Sequence, residues 1–524
     1  MIRILLALFA CGNLSLIFAA DPERPNVVII YTDDQGYGDV SSMNADAKFQ
    51  TPNYDRLARE GISFTNAHSS DTVCTPSRYG LLTGRYAWRT RLKKGVMGSE
   101  GKCLISDDTL TVPSFLKSQG YTTAMVGKWH LGMTFDGKPG QRDWSVPIKD
   151  MPLDKGFDYY FGIPASLNYG ILAWFEGRHT AVPPTKFTAK KANKRHPDYR
   201  IKPPYQDSAA ETKQVLKKAG IEVAEDFIDN QCLTRFTNQA ISWMGDHLKS
   251  GASKGKAANP FFLYLPLTSP HYPVCPLPEF HGKGDCGGYG EFMIETDHRI
   301  GQVLDFLDQQ GIADNTIVIV TSDNGPEKTW QQRIKNFDHA SNAGFRGGKR
   351  DIYEGGHRVP FLVRWPKGIS NPGRTSDRLT GQTDIFATLA EVVGQTVPDD
   401  AAVDSSSFAK VLKDEQGLKD RAPLINHGVS GRFAVTIGNW KLVMAHGKAK
   451  MELYDLSKDS SEEVNVIQQN PDMANRLQAE LTQIVCKGRT TEGTSQSNDT
   501  GYWDDLTWIT AEDYDQIQEG ENNE

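Results

Sequence analysis

The chain has 524 residues, 38% of them hydrophobic and 23% charged, and its formal net charge is −7. This is the composition of an ordinary soluble globular protein, and the length allows a large domain plus a smaller one. The acidic balance argues against a general nucleic-acid binder and against a protein that binds anionic membranes. It leaves room for an anionic substrate, because a pocket can be locally basic on an acidic protein.

The N-terminus has the pattern of an export signal. A short charged start is followed by an apolar run from Ile4 to Ala20 and then by polar sequence. We interpret residues 1–20 as a signal peptide, because the run is short for a transmembrane anchor. Lipidation at Cys11 is the less favoured alternative, since Phe9 fits a lipoprotein cleavage site poorly. No later stretch is apolar enough to span a bilayer, so we expect a secreted or periplasmic protein.

Cysteine usage fits an exported chain. Six cysteines remain once the signal is removed: Cys74, Cys103, Cys232, Cys275, Cys286 and Cys486. Export permits disulfides, and Cys275 and Cys286 are close enough in sequence to close a loop. No spacing resembles a zinc site. A single N-glycosylation sequon, at Asn498, remains in the mature chain.

Four apolar runs, each typical of a strand buried on both faces, end in polar residues. They cover residues 26–31, 121–126, 261–267 and 316–320. Helical patterns lie between them, at residues 52–60, 111–119 and 291–310. Strands that alternate with helices predict an α/β fold with a doubly wound, mostly parallel sheet. Ligands bind beyond the carboxyl ends of such strands, so we expect the four polar strand ends to converge on one site.

The second half of the chain suggests a smaller domain. We expect a catalytic domain over residues 21–420, with a surface excursion between Pro183 and Gln214 that possesses no clear periodicity. Short strands at 433–437, 440–444 and 452–456 and a helix at 471–485 predict a C-terminal α+β domain over 421–487. The tail, residues 488–524, is polar and acidic, and we expect it to be irregular.

The acidic strand ends are candidate metal ligands. Asp33 and Asp34 follow the first strand, and Asp323 and Asn324 follow the fourth. These side chains offer hard oxygen ligands, which suit calcium or magnesium better than zinc. A lone Asp-Asp pair is more often a turn or a helix cap. Two such pairs after two buried strands make a metal site an equal alternative to turn residues.

A cysteine lies at the predicted start of a helix. The sequence Cys74-Thr75-Pro76 suits a helix N-terminus, where the helix dipole favours an activated side chain and a bound anion. Arg78 follows one turn later and could hold an oxyanion with its forked guanidinium. For a cysteine alone, the default interpretation is a buried structural residue, and the surrounding sequence is far more specific than that.

The surrounding sequence resembles the type I, formylglycine-dependent sulfatases. The family signature corresponds to Cys74-x-Pro76-Ser77-Arg78 followed by Leu81-Leu82-Thr83-Gly84. The other family segments follow in order at Gly127-Lys128-Trp129-His130, Ser269-Pro270-His271, Ser322-Asp323-Asn324-Gly325, Gly347-Gly348-Lys349 and Tyr353-Glu354-Gly355-Gly356. The segment from Gly156 to Pro164 resembles the arylsulfatase A and N-acetylgalactosamine-6-sulfatase branch.

The resemblance implies an alkaline-phosphatase-like fold and a defined chemistry. A formylglycine-generating maturation enzyme would oxidise Cys74 to 3-oxoalanine (formylglycine), whose hydrate attacks the sulfur and forms a covalent sulfoenzyme intermediate. One Ca²⁺ ion would be held by Asp33, Asp34, residue 74, Asp323 and Asn324. The sulfate would be bound by Arg78, Lys128, His130, His271 and Lys349.

The resemblance also implies roles in proton transfer. Asp323 would accept the proton of the attacking hydroxyl, and His271, with Lys128 or Lys349, would protonate the leaving alcohol. His130 would take the proton of the second hydroxyl when the sulfate leaves. Singly, these histidines and lysines could be core or surface residues, and their common placement after strands and glycine turns favours the catalytic interpretation.

A sulfated saccharide is the expected substrate, and sulfated galactose or galactosamine units fit the branch resemblance. Trp174, Arg178 and His179 could line the sugar pocket. The nearest alternative is a phosphonate monoester or phosphodiester hydrolase of the same superfamily, which can share the Cys-x-Pro-x-Arg motif. A second alternative is a non-catalytic protein that binds sulfated glycans through an unmodified Cys74.

Overall fold

The computed structural model describes residues 24–188, 201–203, 205–206, 221–253 and 258–521. The predicted signal peptide lies outside these residues, as does most of the excursion predicted between Pro183 and Gln214. Within the described ranges, no helix has both the length and the apolar character that a membrane span requires.

A ten-stranded sheet forms the centre of the larger α/β unit. In spatial order its strands are β14 (Arg374–Ser376), β2 (Gly61–Phe64), β13 (Phe361–Arg364), β12 (Thr316–Ser322), β1 (Asn26–Asp33), β11 (Phe261–Pro270), β4 (Thr122–Lys128), β5 (Tyr159–Ile163), β7 (Phe175–Glu176) and β8 (His179–Thr180). From β12 to β5 all neighbouring strands are parallel, and the antiparallel pairs lie outside this block. The predicted doubly wound, mostly parallel sheet is therefore confirmed.

The central strands are buried because their sequences are apolar on both faces. Val27 to Tyr31 of β1 are completely buried, as expected of a parallel strand covered by helices on both sides. Two small sheets lie beside the main one: β6 (Ile171–Leu172) with β10 (Ile221–Val223) and β9 (Lys186–Thr188), and β3 (Ala67–His68) with β15 (Thr380–Gly381).

Nine helices of the described part of the larger unit surround the sheet: α1 (Pro52–Glu60), α2 (Cys74–Thr83), α3 (Val112–Ser118), α4 (Cys232–Ser253), α5 (Gly287–Gln309), α6 (Trp330–Phe337), α7 (Glu354–His357), α8 (Asp384–Val392) and α9 (Ala409–Leu412). The three predicted helices correspond to α1, α3 and α5, with ends that differ by a few residues. Thr111 caps α3 by accepting a hydrogen bond from Ser114 N, and Pro113 stands in its first turn.

The C-terminal region forms a second, smaller unit. Its antiparallel sheet contains β16 (Leu424–His427), β17 (Phe433–Ile437), β18 (Trp440–Val443) and β19 (Glu452–Asp455). Helix α10 (Pro471–Lys487) packs on this sheet through Leu477 and Leu481, which belong to the same buried cluster as Phe433 and Leu453. The predicted antiparallel sheet with a helix is confirmed, and the sheet contains one strand, β16, that was not predicted.

The expectation of an irregular tail is wrong. Residues Ala511–Glu521 form helix α11, and Leu506 and Tyr514 are completely buried in the core beside α10. The sequence does not show this helix because it is strongly acidic and has few apolar residues. Its position depends on a few large side chains that pack against α10 rather than on an amphipathic pattern.

The two units share a buried hydrogen-bond network around Arg89. This guanidinium donates to both carboxylate oxygens of Asp404, at 2.8 Å each, and to Oδ1 of Asn498 at 3.1 Å. Asn498 in turn donates to the backbone oxygen of Val485 and to Oη of Tyr514. The Asn498 side chain is thus engaged in the core and is not presented to solvent, although Asp499 and Thr500 of its sequon are exposed.

Because Arg89 and Asp404 are both fully buried, removal of one charge should be costly. We expect Asp404→Asn to lower the free energy of unfolding by about 3 kcal/mol or more, since it leaves a buried guanidinium without its counterion. Asp246→Asn is the matched control, because Asp246 pairs with Lys249 at the surface with side chains 71% and 82% exposed. The control should change stability by less than about 0.5 kcal/mol. Equal shifts in denaturant unfolding for the two variants would contradict the structural role of Asp404.

Candidate active site

The polar strand ends meet at one edge of the sheet. Thr32 of β1 lies opposite Ser322 of β12, so the residues that follow these strands are neighbours. The backbone N–H of Asp34 donates to Oδ1 of Asp323 at 3.1 Å. From β4, which is separated from β1 by β11, Lys128 Nζ reaches Oδ2 of Asp33 at 2.5 Å. Strand register thus brings together side chains that are far apart in sequence.

Two of these residues have an unusual backbone conformation. Asp34 and His130 lie in the left-handed region, with φ of 66° and 63°. Such a conformation is unfavourable for residues other than glycine and is frequent at functional sites. At Gly325 a glycine is required by a close backbone approach, because an added Cβ would lie 1.9 Å from the backbone oxygen of Gly355. The loop after β12 can therefore pack directly on the segment that follows Lys349.

Cys74 is the first residue of α2, and all ten residues of this helix are buried. Val73, at the N-cap position, provides no side-chain cap, so the positive end of the helix faces the site. The cysteine sulfur and one carboxylate oxygen from each of Asp33 and Asp323 lie within 4.8 Å of one another. Burial raises the pKa of the Cys74 thiol, so the unmodified cysteine is held as a neutral group.

Three buried cations face three buried carboxylates. Lys128 pairs with Asp33, Arg78 Nη2 donates to Oδ2 of Asp323 at 2.7 Å, and Lys349 Nζ lies 2.6 Å from Oδ1 of Asp34. All six side chains are nearly or completely inaccessible to solvent. Pairs of this kind keep their charges because each charge has a partner and further hydrogen bonds. They place fixed positive charge around Cys74.

The two aspartates that follow the strands differ in acidity. Burial raises the pKa of Asp323 to about 6, and the nearby Asp33 carboxylate contributes in the same direction. Burial acts on Asp34 in the same sense, but Lys349 and His271 outweigh it and hold the pKa of Asp34 well below its usual range. Asp34 is therefore held as an anion, whereas the raised pKa of Asp323 makes its carboxylate a better proton acceptor than an ordinary aspartate.

The donor atoms suit a hard metal cation. Oδ1 of Asp33, Oδ2 of Asp34 and Oδ1 of Asn324 are buried and have no hydrogen-bond partner. A buried acceptor without a partner is costly, and a cation bound at this edge would satisfy all three oxygens. The other carboxylate oxygens, Asp33 Oδ2, Asp34 Oδ1 and Asp323 Oδ2, are already bonded to Lys128, Lys349 and Arg78. The residues present thus fit an oxygen-ligated ion of the calcium or magnesium type.

The site also holds nitrogen atoms without partners. Arg78 Nε and His130 Nδ1 are buried and unpartnered, while His130 Nε2 is hydrogen-bonded to the backbone oxygen of Met97 at 2.9 Å. Arg78 Nε can donate to an oxygen of a bound anion, whereas His130 Nδ1 can accept a hydrogen bond, because Nε2 is the donor to the Met97 carbonyl. Burial lowers the pKa of His130, and the nearby Lys128 and Arg78 lower it further.

His271 lies beside the candidate metal ligands Asp33 and Asp34, and one side-chain N or O atom from each of the three lies within 4.8 Å of the others. Its Nδ1 is hydrogen-bonded to the backbone oxygen of Tyr272 at 2.6 Å, and its Nε2 lies 3.7 Å from Oδ2 of Asp34. Burial lowers the pKa of His271 to about 3, which the Asp34 carboxylate only partly offsets. The neutral imidazole therefore carries its proton on Nδ1 and presents Nε2 to the centre.

The structure reveals contributors that the sequence analysis missed. The Tyr169 ring packs edge-on against His130, with ring centres 4.8 Å apart, and the Tyr272 ring stacks on His271 at 4.6 Å. Glu327 accepts two hydrogen bonds from Arg350, at 2.6 and 2.9 Å. Tyrosines and ion pairs of this kind are common on any protein surface, so the sequence contains no signal for the two tyrosines or for Arg350. Only Glu327 could have been proposed as a site residue, because it lies just beyond the predicted segment that contains Asp323.

Two strands of the smaller unit contact the segments that carry site residues. His427 Nδ1 of β16 is hydrogen-bonded to Oδ2 of Asp71 at 2.9 Å, three residues before Cys74. Lys441 Nζ of β18 lies 3.0 Å from both Oε1 of Glu354 and Nε2 of His357. The lysine ammonium thus fills the centre of a buried His and Glu cluster that would otherwise resemble a metal site.

The predicted sugar-pocket residues lie elsewhere. Trp174 is 2% exposed and stacks on Phe227 and Phe161 in the core. Arg178 forms an ion pair with Asp154, and His179 belongs to β8, the edge strand farthest from β1 on its side of the sheet. The prediction was wrong because an aromatic residue beside basic residues does not reveal whether the strand that carries them is central or at the edge.

Comparisons with known proteins agree with this site. The sulfatase family matches residues 25–395, and the C-terminal region of N-sulphoglucosamine sulphohydrolases matches residues 345–490. An N-acetylgalactosamine-6-O-sulfatase of Bacteroides thetaiotaomicron is 33% identical over 499 residues, which cover 88% of this chain and 93% of the relative.

Solved structures show the same relationship. A Bacteroides thetaiotaomicron sulfatase studied in the metabolism of multiple glycosaminoglycans superimposes with a TM-score of 0.74 at 32% identity, covering 88% of this chain and 99% of the other. The phosphonate monoester hydrolase of Agrobacterium radiobacter has a TM-score of 0.56 at 18% identity, over 89% and 96% of the two chains, and shares the fold alone. The alkaline-phosphatase-like fold is thereby confirmed. This chain belongs to the formylglycine-type sulfatase family, in the branch of arylsulfatase A and N-acetylgalactosamine-6-sulfatase, and is a sulfuric ester hydrolase.

Proposed function

We propose that this protein hydrolyses sulfate monoesters on sulfated carbohydrates, with a formylglycine made from Cys74 as nucleophile and one Ca²⁺ ion as cofactor. The observation that carries the proposal is the buried ring of Arg78, Lys128 and Lys349 around the N-terminus of α2. Fixed positive charge in a buried site favours the negative charge that develops as a sulfate ester breaks.

The calcium assignment rests on the partnerless oxygens. Asp33, Asp34, Asn324, Asp323 and residue 74 would hold the ion, and three of these side chains have an oxygen that nothing else occupies. The bound ion supplies a Lewis acid for one sulfate oxygen and favours the ionised nucleophile. Calcium accepts irregular oxygen ligation more readily than magnesium does. Magnesium prefers the same ligands and is the expected substitute, but it demands a tighter coordination geometry.

The surrounding residues suit the proton transfers. Asp323, whose pKa is near neutrality, takes the proton of the attacking hydroxyl of the formylglycine hydrate. Lys349 and His271 lie on the side of Asp34, where the leaving sugar oxygen receives a proton. His130 accepts the proton of the second hydroxyl when the sulfate departs, through the Nδ1 atom that has no partner. A serine or cysteine lacks that second hydroxyl, which is the reason for the modification.

The proposal extends to maturation and export. A formylglycine-generating enzyme is the required partner, and residues 1–20 would direct the chain to the periplasm or the medium. We retain residues 21–420 as the catalytic domain and 421–487 as the core of the C-terminal domain, to which α11 of the tail is added.

A sulfated sugar is favoured as substrate because the Bacteroides relative is named for the 6-sulfate of N-acetylgalactosamine. Turnover of defined sulfated mono- and oligosaccharides tests this choice. The alternative, phosphonate monoester or phosphodiester hydrolysis, is favoured only by the shared fold of the Agrobacterium enzyme. Higher kcat/KM on an aryl phosphodiester than on an aryl sulfate would replace the proposal with that alternative.

A general-acid role of His271 requires its Nε2 to take up a proton when the anionic substrate binds, since nearby negative charge raises the pKa of an imidazole. This role predicts a dependence on the leaving group. Sugar alcohols leave poorly and need a proton, whereas nitrophenolate leaves with little help. We expect His271→Ala to reduce kcat/KM on a sulfated sugar by about 100-fold, and by about tenfold or less on nitrophenyl sulfate. His130→Ala is the control: it should slow the breakdown of the sulfated intermediate that both substrates share, so the two kcat values should fall towards a common rate. Equal proportional losses for His271→Ala would make this histidine a simple sulfate ligand.

A further inference from the structure

An open cleft extends from the catalytic centre. It begins at Asp34, has a volume of about 600 Å³, and is bounded by Tyr272 and Glu327 near the centre and by the start of α5 and one face of α6 farther away. Ligand pockets for small molecules usually measure roughly 300–1,000 Å³, so the cleft can hold more than the sulfate group itself. The remainder of a saccharide substrate has to occupy this space or the solvent above it.

The N-terminus of α5 opens into this cleft. Gly287, Gly288 and Tyr289 form its first turn and line the cleft, and helix α5 is 23 residues long. Cys286, at the N-cap position, provides no side-chain cap, and the first turn contains no acidic residue. An uncapped helix start with two glycines presents backbone N–H groups and the positive end of the helix dipole, which together attract anions.

A buried arginine lines the same cleft. Arg333 of α6 is 2% exposed, and its guanidinium carbon lies 3.6 Å from the centre of the Tyr289 ring. Nε donates to Ser341 Oγ and Nη1 donates to Thr329 Oγ1, both at 2.9 Å, while Nη2 has no partner. All of these partners are neutral, and no carboxylate of the described ranges forms an ion pair with Arg333. A buried cation without a counterion is costly unless an anion joins it.

The acidic groups around the cleft already have partners. Asp34 is paired with Lys349, and Glu327 forms a two-point ion pair with Arg350. Asp39, behind the Tyr289 ring, accepts hydrogen bonds from Tyr289 Oη at 2.5 Å and from His339 Nε2 at 2.8 Å. None of these three carboxylates is bonded to Arg333 or to a backbone N–H of the first turn of α5, so both remain available to an anion.

We propose that this cleft is a second anion subsite, in which the first turn of α5 and Arg333 bind a carboxylate or a second sulfate group on the sugar next to the one that is cleaved. The proposal rests on the proposed function and narrows it: the substrate would be an oligosaccharide with at least two anionic groups. A uronate and a second sulfate offer the same chemistry here, namely acceptor oxygens with negative charge.

Substitution at Gly288 tests the subsite without disturbing the catalytic residues. Gly288 does not have a left-handed backbone, and a Cβ added there would meet only Val274 Cγ1, at 3.8 Å. Gly288→Glu puts a carboxylate at the helix start, where it stabilises the helix and repels an anionic sugar. Gly288→Gln is the matched neutral control. A second variant, Arg333→Gln, removes the buried charge, and its thermal unfolding reports whether the fold is retained.

The substrates are three disaccharides that share the cleaved sulfate. The neighbouring sugar is neutral in one, carries a carboxylate in the second and a second sulfate in the third. With matured wild-type enzyme we expect kcat/KM to be about tenfold higher for the second or third than for the first, the size of one charge-assisted contact. Gly288→Gln should keep this preference, and Gly288→Glu and Arg333→Gln should abolish it while turnover of the neutral disaccharide is unchanged.

Two outcomes would overturn the subsite: equal kcat/KM for all three disaccharides with wild-type enzyme, or a preference that survives both Gly288→Glu and Arg333→Gln. Calorimetric affinities measured with unmatured enzyme, in which Cys74 is still a cysteine, separate this result from a failure of the proposed function. If affinity is higher for the disaccharides with a second anionic group but matured enzyme turns over none of the three, the subsite stands and the proposed reaction is refuted. Equal turnover of all three would preserve the reaction and refute the subsite.

Discussion

A Cys74→Ala variant is expected to fold normally and to lose at least about four orders of magnitude in kcat/KM, because no other residue can supply the nucleophile. The side chain is small and 2% exposed, so its removal should cost only about 1 kcal/mol of stability. Cys103→Ala is the matched control, since Cys103 is 1% exposed and lies outside the catalytic centre. It should lose a similar amount of stability and keep its activity.

The chemical state of residue 74 is measured directly by mass spectrometry. In active protein the tryptic peptide that ends at Arg78 should carry formylglycine, and protein made without the maturation enzyme should carry cysteine and be nearly inactive. Full activity from protein that contains only cysteine would refute the modification.

Asp34→Ala should lose the metal and at least about two orders of magnitude in rate, the scale expected when a main electrostatic stabiliser is removed. The variant deletes one of the partnerless oxygens and leaves Lys349 as a buried cation without its nearest counterion. Asp34→Asn, which keeps the shape but not the charge, should be intermediate in metal affinity. Elemental analysis of the purified protein gives the metal content, and kinetics on nitrophenyl sulfate give the rate.

Asp39→Ala is the control for the effect of burial. Asp39 is as deeply buried as Asp34, but it pairs with His339 and Tyr289 rather than with the catalytic cations. We expect this variant to be less stable and to keep its calcium. Wild-type protein that remains fully active after exhaustive chelation, with no metal detected, would contradict the calcium site altogether.

The central sheet was predictable from the sequence because its strands are nearly uniform apolar runs. A run such as Val27 to Tyr31 specifies a strand buried on both faces, and the alternation with helices specifies a parallel order. Once the order is parallel, the polar residues after each strand must share an edge. Asp33, His271 and Asp323 could therefore be grouped before any coordinates existed.

The remaining parts of the site depend on contacts that no local pattern encodes. Lys349 reaches Asp34 across more than three hundred residues of chain, and the family resemblance, not periodicity, suggested that it belongs there. Helix α4 escaped prediction because Gly245 and several Ser, Thr and Asn residues weaken its intrinsic propensity, and its packing beside β11 decides its conformation. The wrong position given to Trp174 has the same origin, since its burial is set by Phe161 and Phe227.

The burial of helix α2 has a consequence for the timing of activation. Every residue from Cys74 to Thr83 is enclosed by the finished fold, and the sulfur lies beneath the carboxylates of Asp33 and Asp323. The native molecule therefore offers no exposed length of chain around Cys74 to a maturation enzyme. If Cys74 is converted to formylglycine as proposed, the conversion has to happen on the nascent or unfolded polypeptide. A molecule that folds first would stay unmodified and inert for as long as this region remains closed.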